Sequence, residues 1–436
     1  MNRTLADIFT QPDPSVTQEG SVDPMGLLVI WQEYATRVFR RKLNSVATDP
    51  RAIMVNVLHH SAIWRWRERH PDHAGWESQF DRVAGLLVWA EDVLAHAVLE
   101  LERDGKGIDT VGMLGLSKLK GIQASSPAGH LLVARKERGI LKSQLALGYT
   151  GRYKAALVEM NLFDERFERN QKHEVVWSEI EELIEQTPGL KAYRDALVAL
   201  FESVKPDESS AYASLPADAL SEHLAATERA FSRVDLPEPW REFWRSRLGL
   251  TAGASGAIAE AIGQSEEWSI EEVMRQAAGQ LRQSGQHEEA QQLDDILWLE
   301  PVLTAVDWFF DVLLGAKGKK DRDVIPEVRR LRSFVQSRGA LAASAPNERL
   351  LSLWAVLTAE GDDLNWLRGL LDFHQQLMEG RDGMSWITLR EEGQIWQQYT
   401  RAWDAEKEAE VEDLANLAWR RSYYVHSVAN MMKVLQ

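Results

Sequence analysis

Apolar residues recur every three to four positions along most of this chain, and this spacing restricts the fold more than any other feature. It places apolar side chains along one face of an α-helix, whereas a half-buried strand needs a spacing of two. The stretch Asp23–Phe39 is one example, with Leu27, Trp31, Tyr34 and Val38 on a common face. We therefore predict a mainly α fold built from multi-helix domains.

Two Asp-Pro pairs mark helix starts. In Asp23-Pro24 and in Asp49-Pro50 the aspartate suits the N-cap position and the proline suits the first helical position. We predict that a helix begins at each pair.

Changes in composition divide the chain into four parts. Residues 1–22 are polar and predict a flexible arm, and residues 23–204 predict a helical N-terminal domain. The stretch KPDESSAYASLP, residues 205–216, has the composition of a linker. Residues 217–436 then form a predicted helical C-terminal domain.

Two local features are predicted inside the C-terminal domain. Residues 385–399 place two short apolar groups on either side of Glu391–Gly393, a pattern that fits either a small β-hairpin or two helix ends. Residues 394–436 contain neither glycine nor proline, and their apolar residues follow a heptad-like spacing that Arg421 interrupts. This predicts a long C-terminal helix, which packs on its own domain or forms an oligomer seam.

Composition excludes several classes of protein. The chain has no cysteine, which removes disulfides and thiolate metal sites and fits a reducing compartment. No stretch approaches the roughly 20 apolar residues of a membrane span, and the N-terminus lacks a signal-peptide pattern. We therefore expect a cytoplasmic protein without membrane contact. Its net charge of −16 repels nucleic acid unless a local basic patch makes the contact.

Motif searches assign no catalytic, cofactor-binding or metal-binding residue. Gly115–Lys118 lacks the spacing of a phosphate-binding loop, and Gly253–Gly263 lacks that of a dinucleotide-binding turn. His59 and His60 are adjacent, so on a helix they point about 100° apart. Trp177 stands where a zinc-protease helix needs its second histidine. The sequence favours a protein without enzymatic activity but leaves that question open.

The segment 111–158 reverses the charge of the chain. Glu137 is its only acidic residue, whereas residues 159–185 are rich in acids. Such an island neutralises phosphates while the rest of the surface repels non-specific polyanions. Tyr149 and Tyr153 would stack on bases. The predicted site for nucleic acid or another anion consists of Lys118, Lys120, Arg135, Lys136, Arg138, Lys142, Arg152, Tyr153 and Lys154.

The alternative is that these cations pair with the chain's own acidic helices, above all the one that carries Glu179, Glu181, Glu182 and Glu185. Two further basic clusters would extend the site if the fold brought them together. They are Arg37, Arg40, Arg41 and Lys42, and Lys317, Lys319, Lys320 and Arg322.

Tryptophan is abundant, with 17 residues. Its large ring fills the core between helical layers, which is the simpler explanation for this number. The other explanation is that some tryptophans anchor a protein interface, where this residue type is enriched.

Three stretches resemble a group of known proteins. SQLALGYTGRYKAALVEMNLFD (Ser143–Asp164), DPMGLLVIWQEYATRVF (Asp23–Phe39) and TDPRAI (Thr48–Ile53) are similar to large helical uncharacterised proteins of bacterial anti-phage defence gene clusters. The resemblance covers part of the chain and transfers no catalytic residue. It implies partners, because such proteins work beside a helicase, a nuclease or an ATPase.

Three functions follow from the sequence as hypotheses. The leading one is a non-catalytic helical subunit or adaptor of a bacterial nucleic-acid-directed defence complex, with other protein subunits and DNA or RNA as partners. The second is an enzyme with an unfamiliar helical active site. The third is a scaffold that binds proteins alone, either partner subunits or further copies of itself.

Overall fold

Helices dominate the structure, as the apolar spacing predicts. The computed structural model describes residues 23–44, 49–70, 80–106, 115–124, 130–134, 140–141, 148–164, 169, 174–203, 212–216, 221–231, 236–316, 318–344, 346–381, 383–397 and 413–436. The α-helices of the first half of these residues are α1 (Leu27–Phe39), α2 (Pro50–Arg69), α3 (Phe80–Arg103), α4 (Leu116–Ala124), α5 (Tyr149–Glu159), α6 (Glu174–Gln186), α7 (Pro188–Ser203) and α8 (Ser221–Phe231). Those of the second half are α9 (Glu238–Leu248), α10 (Gly253–Gly263), α11 (Ile270–Gln283), α12 (His287–Gly315), α13 (Ile325–Ser337), α14 (Glu348–Leu357), α15 (Asp363–Glu379) and α16 (Val425–Leu435).

Four short strands form two antiparallel pairs. β3 (Ile387–Leu389) pairs with β4 (Ile395–Gln397), which confirms the hairpin predicted at residues 385–399. β1 (His130–Ala134) pairs with β2 (Tyr212–Pro216), and His130 lies opposite Pro216. The sequence does not predict this second pair, because its strands lie far apart along the chain and each is too short to show an alternating pattern.

The two Asp-Pro pairs differ in the structure. Asp49 caps α2, which begins at Pro50 as predicted, and its carboxylate accepts the Arg51 N–H at 2.8 Å. The Asp23 carboxylate accepts the N–H groups of Leu27 and Leu28 at 2.8 and 2.9 Å. The first helix therefore begins three residues after Pro24, later than predicted.

The chain divides into two compact units, each of which is discontinuous in sequence. The first unit comprises residues 1–38 and 269–423, and the second comprises residues 39–268 and 424–436. The predicted boundary at 205–216 lies inside the second unit, so it does not separate the two units. The end of that stretch forms β2, which pairs with β1. The arm predicted at residues 1–22 lies outside the described residues.

In the first unit, the long helix α12 packs against α11 and α13, and α15 packs against α13 and α14. Strand β3 contacts α15. The hydrophobic core includes the fully buried Leu303, Val306, Trp308 and Phe309 of α12.

In the second unit, α2 lies at the centre and contacts α3, α5 and α7. Helix α8 packs on α7 and α3, and α6 packs on α7. Helices α9 and α10 pack against α16, which also contacts α2. The strand β1 contacts both α3 and α4.

The predicted long C-terminal helix is wrong in its length. Residues 414–416 form one 3-10 turn, and α16 covers only Val425–Leu435. Glu300, a buried residue of α12, accepts the backbone N–H groups of Arg420 and Arg421 at 3.0 and 3.1 Å. Backbone N–H groups held by a carboxylate cannot take part in a helical hydrogen-bond ladder. The arginine that interrupts the heptad spacing therefore marks a point where the chain is anchored in an extended form.

Seven of the described tryptophans belong to the core: Trp89, Trp177, Trp240, Trp244, Trp308, Trp354 and Trp366. Core filling therefore accounts for these residues. Among the described helices, none combines the length and the apolar character that crossing a membrane requires.

Candidate nucleic-acid interface

Helix α4 presents the first two cations of the predicted site. Lys118 and Lys120 are exposed, whereas Leu119 between them is buried. Leu119 belongs to a small apolar cluster that includes Ala95 and Leu99 of α3. The apolar spacing of α4 therefore anchors the helix on α3 and directs both ammonium groups to solvent.

The same apolar cluster includes Ile140, a later residue of the basic segment. Ile140, which lies in sequence between Arg138 and Lys142, packs with Leu119. Gly115 has a φ of 89°, and a Cβ atom there would lie 2.7 Å from Ile140 Cγ2. This close approach brings residues 115–120 and 140–141 together, although about 20 residues separate them in sequence.

Four of the predicted site residues, Arg135, Lys136, Arg138 and Lys142, lie outside the described residues. Their flanks are described: β1 ends at Ala134, and Ile140 is buried. Because β1 contacts α4, and because Ile140 packs on Leu119 of the same helix, both flanks of residues 135–139 lie against α4.

Helix α5 corrects one part of the prediction. The side chain of Tyr153 is fully buried, and Tyr149 is 7% exposed, so neither ring is available to stack on a base. The two rings stack on each other instead, with centroids 6.1 Å apart. Burial raises the pKa of Tyr153 to about 12. The apolar face of α5 accounts for this, since α5 packs on α2. Arg152 and Lys154 are half-buried on the same helix.

The electrostatic contrast is large. Residues 111–158 carry eight basic residues and one acidic residue, hence a net charge of +7, which leaves −23 for the rest of the chain. Lys120 approaches Glu102 at 3.5 Å, but both side chains are more than half exposed. An ion pair of this kind is worth little and leaves the cation able to exchange partners.

Carboxylates of the acidic helix α6 pair with cations from elsewhere in the second unit. Glu185 accepts from Arg65, Lys191 and Arg194 at 2.5, 2.6 and 2.8 Å. These hydrogen bonds, that from Lys191 first, hold the pKa of Glu185 near 2.

The neighbouring carboxylates of α6 have similar partners. Glu181 lies within 3.5 Å of Arg65 and 3.3 Å of Arg194, and Glu179 within 3.1 Å of Arg247. The ion pairs described for these three glutamates all come from residues outside 111–158. Arg135, Lys136, Arg138 and Lys142 lie outside the described residues, so the alternative, in which this helix pairs with the basic segment, stays a prediction.

The two further basic clusters are divided between the units. Arg37 belongs to the first unit and pairs with Glu33 at 2.5 Å, whereas Arg40, Arg41 and Lys42 belong to the second. The third cluster lies in the first unit, where Lys319 and Lys320 are exposed and Lys317 is outside the described residues.

The buried histidines of the second unit do not converge on one point. His59 Nε2 lies 2.8 Å from the Tyr193 hydroxyl, whereas the ring of His60 packs on Phe163 at 4.2 Å. The ring of His223 also packs on that of Tyr193, with centroids 5.1 Å apart. Among the described residues, no group of three or more His, Cys, Asp or Glu side chains could hold a metal ion.

The sequence predicts the cations of the candidate interface but not the residues that pack beside the first of them, Gly115, Leu119 and Ile140. A signal for two of them was present. Leu119 is a single apolar residue between two lysines, and Ile140 belongs to the apolar pair Ile140-Leu141 between Arg138 and Lys142. Apolar residues inside a basic stretch are expected where an otherwise solvated segment is anchored to a core.

Comparisons with known proteins add no relative. No protein-family model, no curated protein and no solved structure matches this chain.

Proposed function

We propose that this protein is a non-catalytic helical subunit or adaptor of a bacterial nucleic-acid-directed anti-phage defence complex, and that residues 111–158 bind nucleic acid or a similar polyanion. The observation that carries the binding proposal is the pairing of the acidic helix α6 with Arg65, Lys191, Arg194 and Arg247. In these pairs Glu179, Glu181 and Glu185 contact cations that lie outside residues 111–158. The role in defence rests on the resemblance of Ser143–Asp164 and of the two stretches near the N-terminus.

Screening reconciles this proposal with the acidic chain. At physiological ionic strength, charges interact over a Debye length of about 8 Å. Carboxylates beyond that distance contribute little at the surface where Lys118 and Lys120 lie, whereas a phosphate in contact with these cations gains the full local attraction. The acidic remainder of the surface then suppresses binding elsewhere on the molecule.

Charge reversal tests the interface. We expect Lys118→Glu combined with Lys120→Glu to weaken binding of a labelled single-stranded oligonucleotide at least about tenfold at low salt, because two phosphate contacts become repulsions. Both side chains are exposed, so the thermal unfolding midpoint should stay close to that of the wild type.

The matched control is Lys319→Glu combined with Lys320→Glu, which changes the net charge equally at an exposed pair of lysines in the first unit. Fluorescence anisotropy should show near wild-type binding for the control. Equal loss of affinity in both variants would mean that net charge, and not this interface, governs binding. Wild-type affinity in the Lys118 and Lys120 variant would contradict the proposed site.

The adaptor role requires protein partners. Co-expression with the proteins encoded by its genomic neighbours, followed by light scattering, should give a complex larger than either component. A strict monomer that binds none of these neighbours and no further copy of itself would contradict this part of the proposal.

A further inference from the structure

The first unit contains a partly buried arginine that has no carboxylate partner among the described residues. Arg338 follows α13 directly, and its side chain lies over the Trp298 ring of α12, with Cζ 5.8 Å from the ring centroid. Burial lowers the pKa of this guanidinium, and no acidic neighbour offsets that effect. A guanidinium taken out of water without a counter-charge is unfavourable, so most partly buried arginines are paired.

Two hydrogen-bond donors at this place lack an acceptor. Arg338 Nε and the indole nitrogen Trp298 Nε1 are both shielded from solvent and have no hydrogen-bond partner. The other end of the guanidinium is fixed, because Arg338 Nη2 donates to the backbone carbonyl of Trp298 at 2.7 Å. Buried donors without acceptors are rare in folded proteins and call for an explanation.

The surroundings are aromatic. The ring of Trp354, on α14, lies 5.1 Å from that of Trp298 at an angle of 58°. Asp295, about one turn before Trp298 on α12, is already occupied, since it accepts the Ser344 backbone N–H at 3.0 Å and the Ser344 hydroxyl. Within the described residues, this place therefore holds one cation, two N–H donors without an acceptor and two aromatic rings.

We propose that Arg338, Trp298 and Trp354 form a binding site for a carboxylate group. One carboxylate has two acceptor oxygens, which match the two unused N–H donors, and its single negative charge matches the single guanidinium. A phosphate dianion fits less well, because its second charge would lie beside two indole rings without a cation. Gly339 and Ala340, which follow Arg338, are exposed, so this place lies at the protein surface.

Acetate is the simplest probe of this site. The protein is labelled with 5-fluorotryptophan and titrated with sodium acetate at constant ionic strength, and the Trp298 resonance is assigned with Trp298→Phe. We expect a saturable shift of the Trp298 and Trp354 resonances with a dissociation constant of about 1–50 mM, as suits a ligand of four heavy atoms. Arg338→Gln should weaken binding at least about tenfold.

The matched control is the second arginine–tryptophan pair on the same two helices. Arg330 lies over Trp308 with Cζ 5.1 Å from the ring centroid, and Trp308 is fully buried. Its resonance should not respond to acetate, and Arg330→Gln should leave the response of Trp298 unchanged. Should Arg338→Gln fail to fold, Arg338→Lys keeps the charge but lacks the Nε donor, and it should also bind acetate more weakly.

Three results would overturn this proposal. One is the absence of a saturable shift of Trp298 up to 200 mM acetate (about four times the upper expected dissociation constant). Another is an undiminished response in Arg338→Gln. The third is an equal or stronger response to inorganic phosphate, which would assign the site to a different class of anion. None of these outcomes bears on the proposed nucleic-acid interface, which lies in the other unit.

Discussion

Mild acid should destabilise the second unit, and three histidines allow the effect to be worked out. His59, His60 and His223 are each at most 7% exposed. Burial lowers the pKa of each from 6.5 to about 3. The unfolded chain therefore binds protons between pH 6.5 and pH 3 that the folded protein excludes. A depressed histidine pKa gives stability that is complete above pH 6.5 and is lost as the pH falls towards 3.

The size of the effect follows from linkage. Each histidine contributes a slope of about 1.4 kcal/mol per pH unit to the free energy of unfolding across this window. At pH 5 each has lost about 2 kcal/mol relative to pH 8, and the three together about 6 kcal/mol. A typical domain is stable by about 5–15 kcal/mol, so the second unit should be close to unfolding at pH 5.

The substitution His223→Leu should remove one third of the pH dependence of the free energy of unfolding, because it removes one of the three histidines. Neither ring nitrogen of His223 has a hydrogen-bond partner, so the substitution removes a titrating group without breaking a hydrogen bond. Urea unfolding followed by circular dichroism between pH 5 and pH 8 should show the variant as stable as the wild type, or more stable, at pH 8. Its slope should be lower by about 1.4 kcal/mol per pH unit. An unchanged slope would mean that His223 is hydrated or protonated in the folded protein, and would refute the reasoning.

Three further substitutions test the packing and the charge networks. Arg194→Met, which removes a fully buried cation from the carboxylates of α6, should cost about 2–4 kcal/mol of unfolding free energy in urea, whereas Arg275→Met at an exposed pair should cost less than about 0.5 kcal/mol. Glu300→Gln should lower the thermal midpoint of the first unit, with a loss of about 2–4 kcal/mol, because an amide cannot accept all the donors that now converge on that carboxylate. Gly115→Ala should cost about 1–3 kcal/mol and weaken oligonucleotide binding, since it strains a φ of 89° and forces the added Cβ against Ile140, while Gly121→Ala, with nothing within 4 Å, should be neutral or stabilising. Wild-type stability in any of the three test variants would contradict the contact on which it depends.

Local patterns in the sequence predict the helices and one hairpin, because each of these elements depends on residues that are close together in the sequence. Asp49-Pro50 fixes the start of α2, and residues 385–399 fix the hairpin of β3 and β4. Contacts between segments that are distant in the sequence produce no local pattern. The pairing of β1 with β2 and the division into two discontinuous units both depend on them.

The C-terminal region shows how a distant contact overrides a local pattern. The helical spacing around Arg421 is real, but Glu300 binds the backbone N–H groups of Arg420 and Arg421 more than 100 residues away in sequence. A buried carboxylate that needs several donors is a stronger requirement than helix propensity, which contributes at most about 1 kcal/mol per ordinary residue.

The candidate site was predictable in its charge but not in its exposure. Counting cations locates the basic segment. The sequence does not show which of its side chains are exposed, as Lys118 and Lys120 are, and which are buried, as Tyr153 is. The carboxylate site left no signal either. An arginine after a helix is common, and only the structure shows that Arg338 lacks a partner and lies over Trp298.

The dependence of oligonucleotide affinity on salt tests the central proposal most directly. Each phosphate contact contributes about −0.7 to −0.9 to the slope of log K against log salt concentration, so six contacts from residues 111–158 predict a slope of about −4 to −5. Between 50 and 200 mM salt the affinity should therefore fall about 300- to 1,000-fold. Fluorescence anisotropy with single- and double-stranded DNA and RNA measures this slope. Absence of salt-sensitive binding to all of them at low salt would contradict the proposal and favour a scaffold that binds proteins alone.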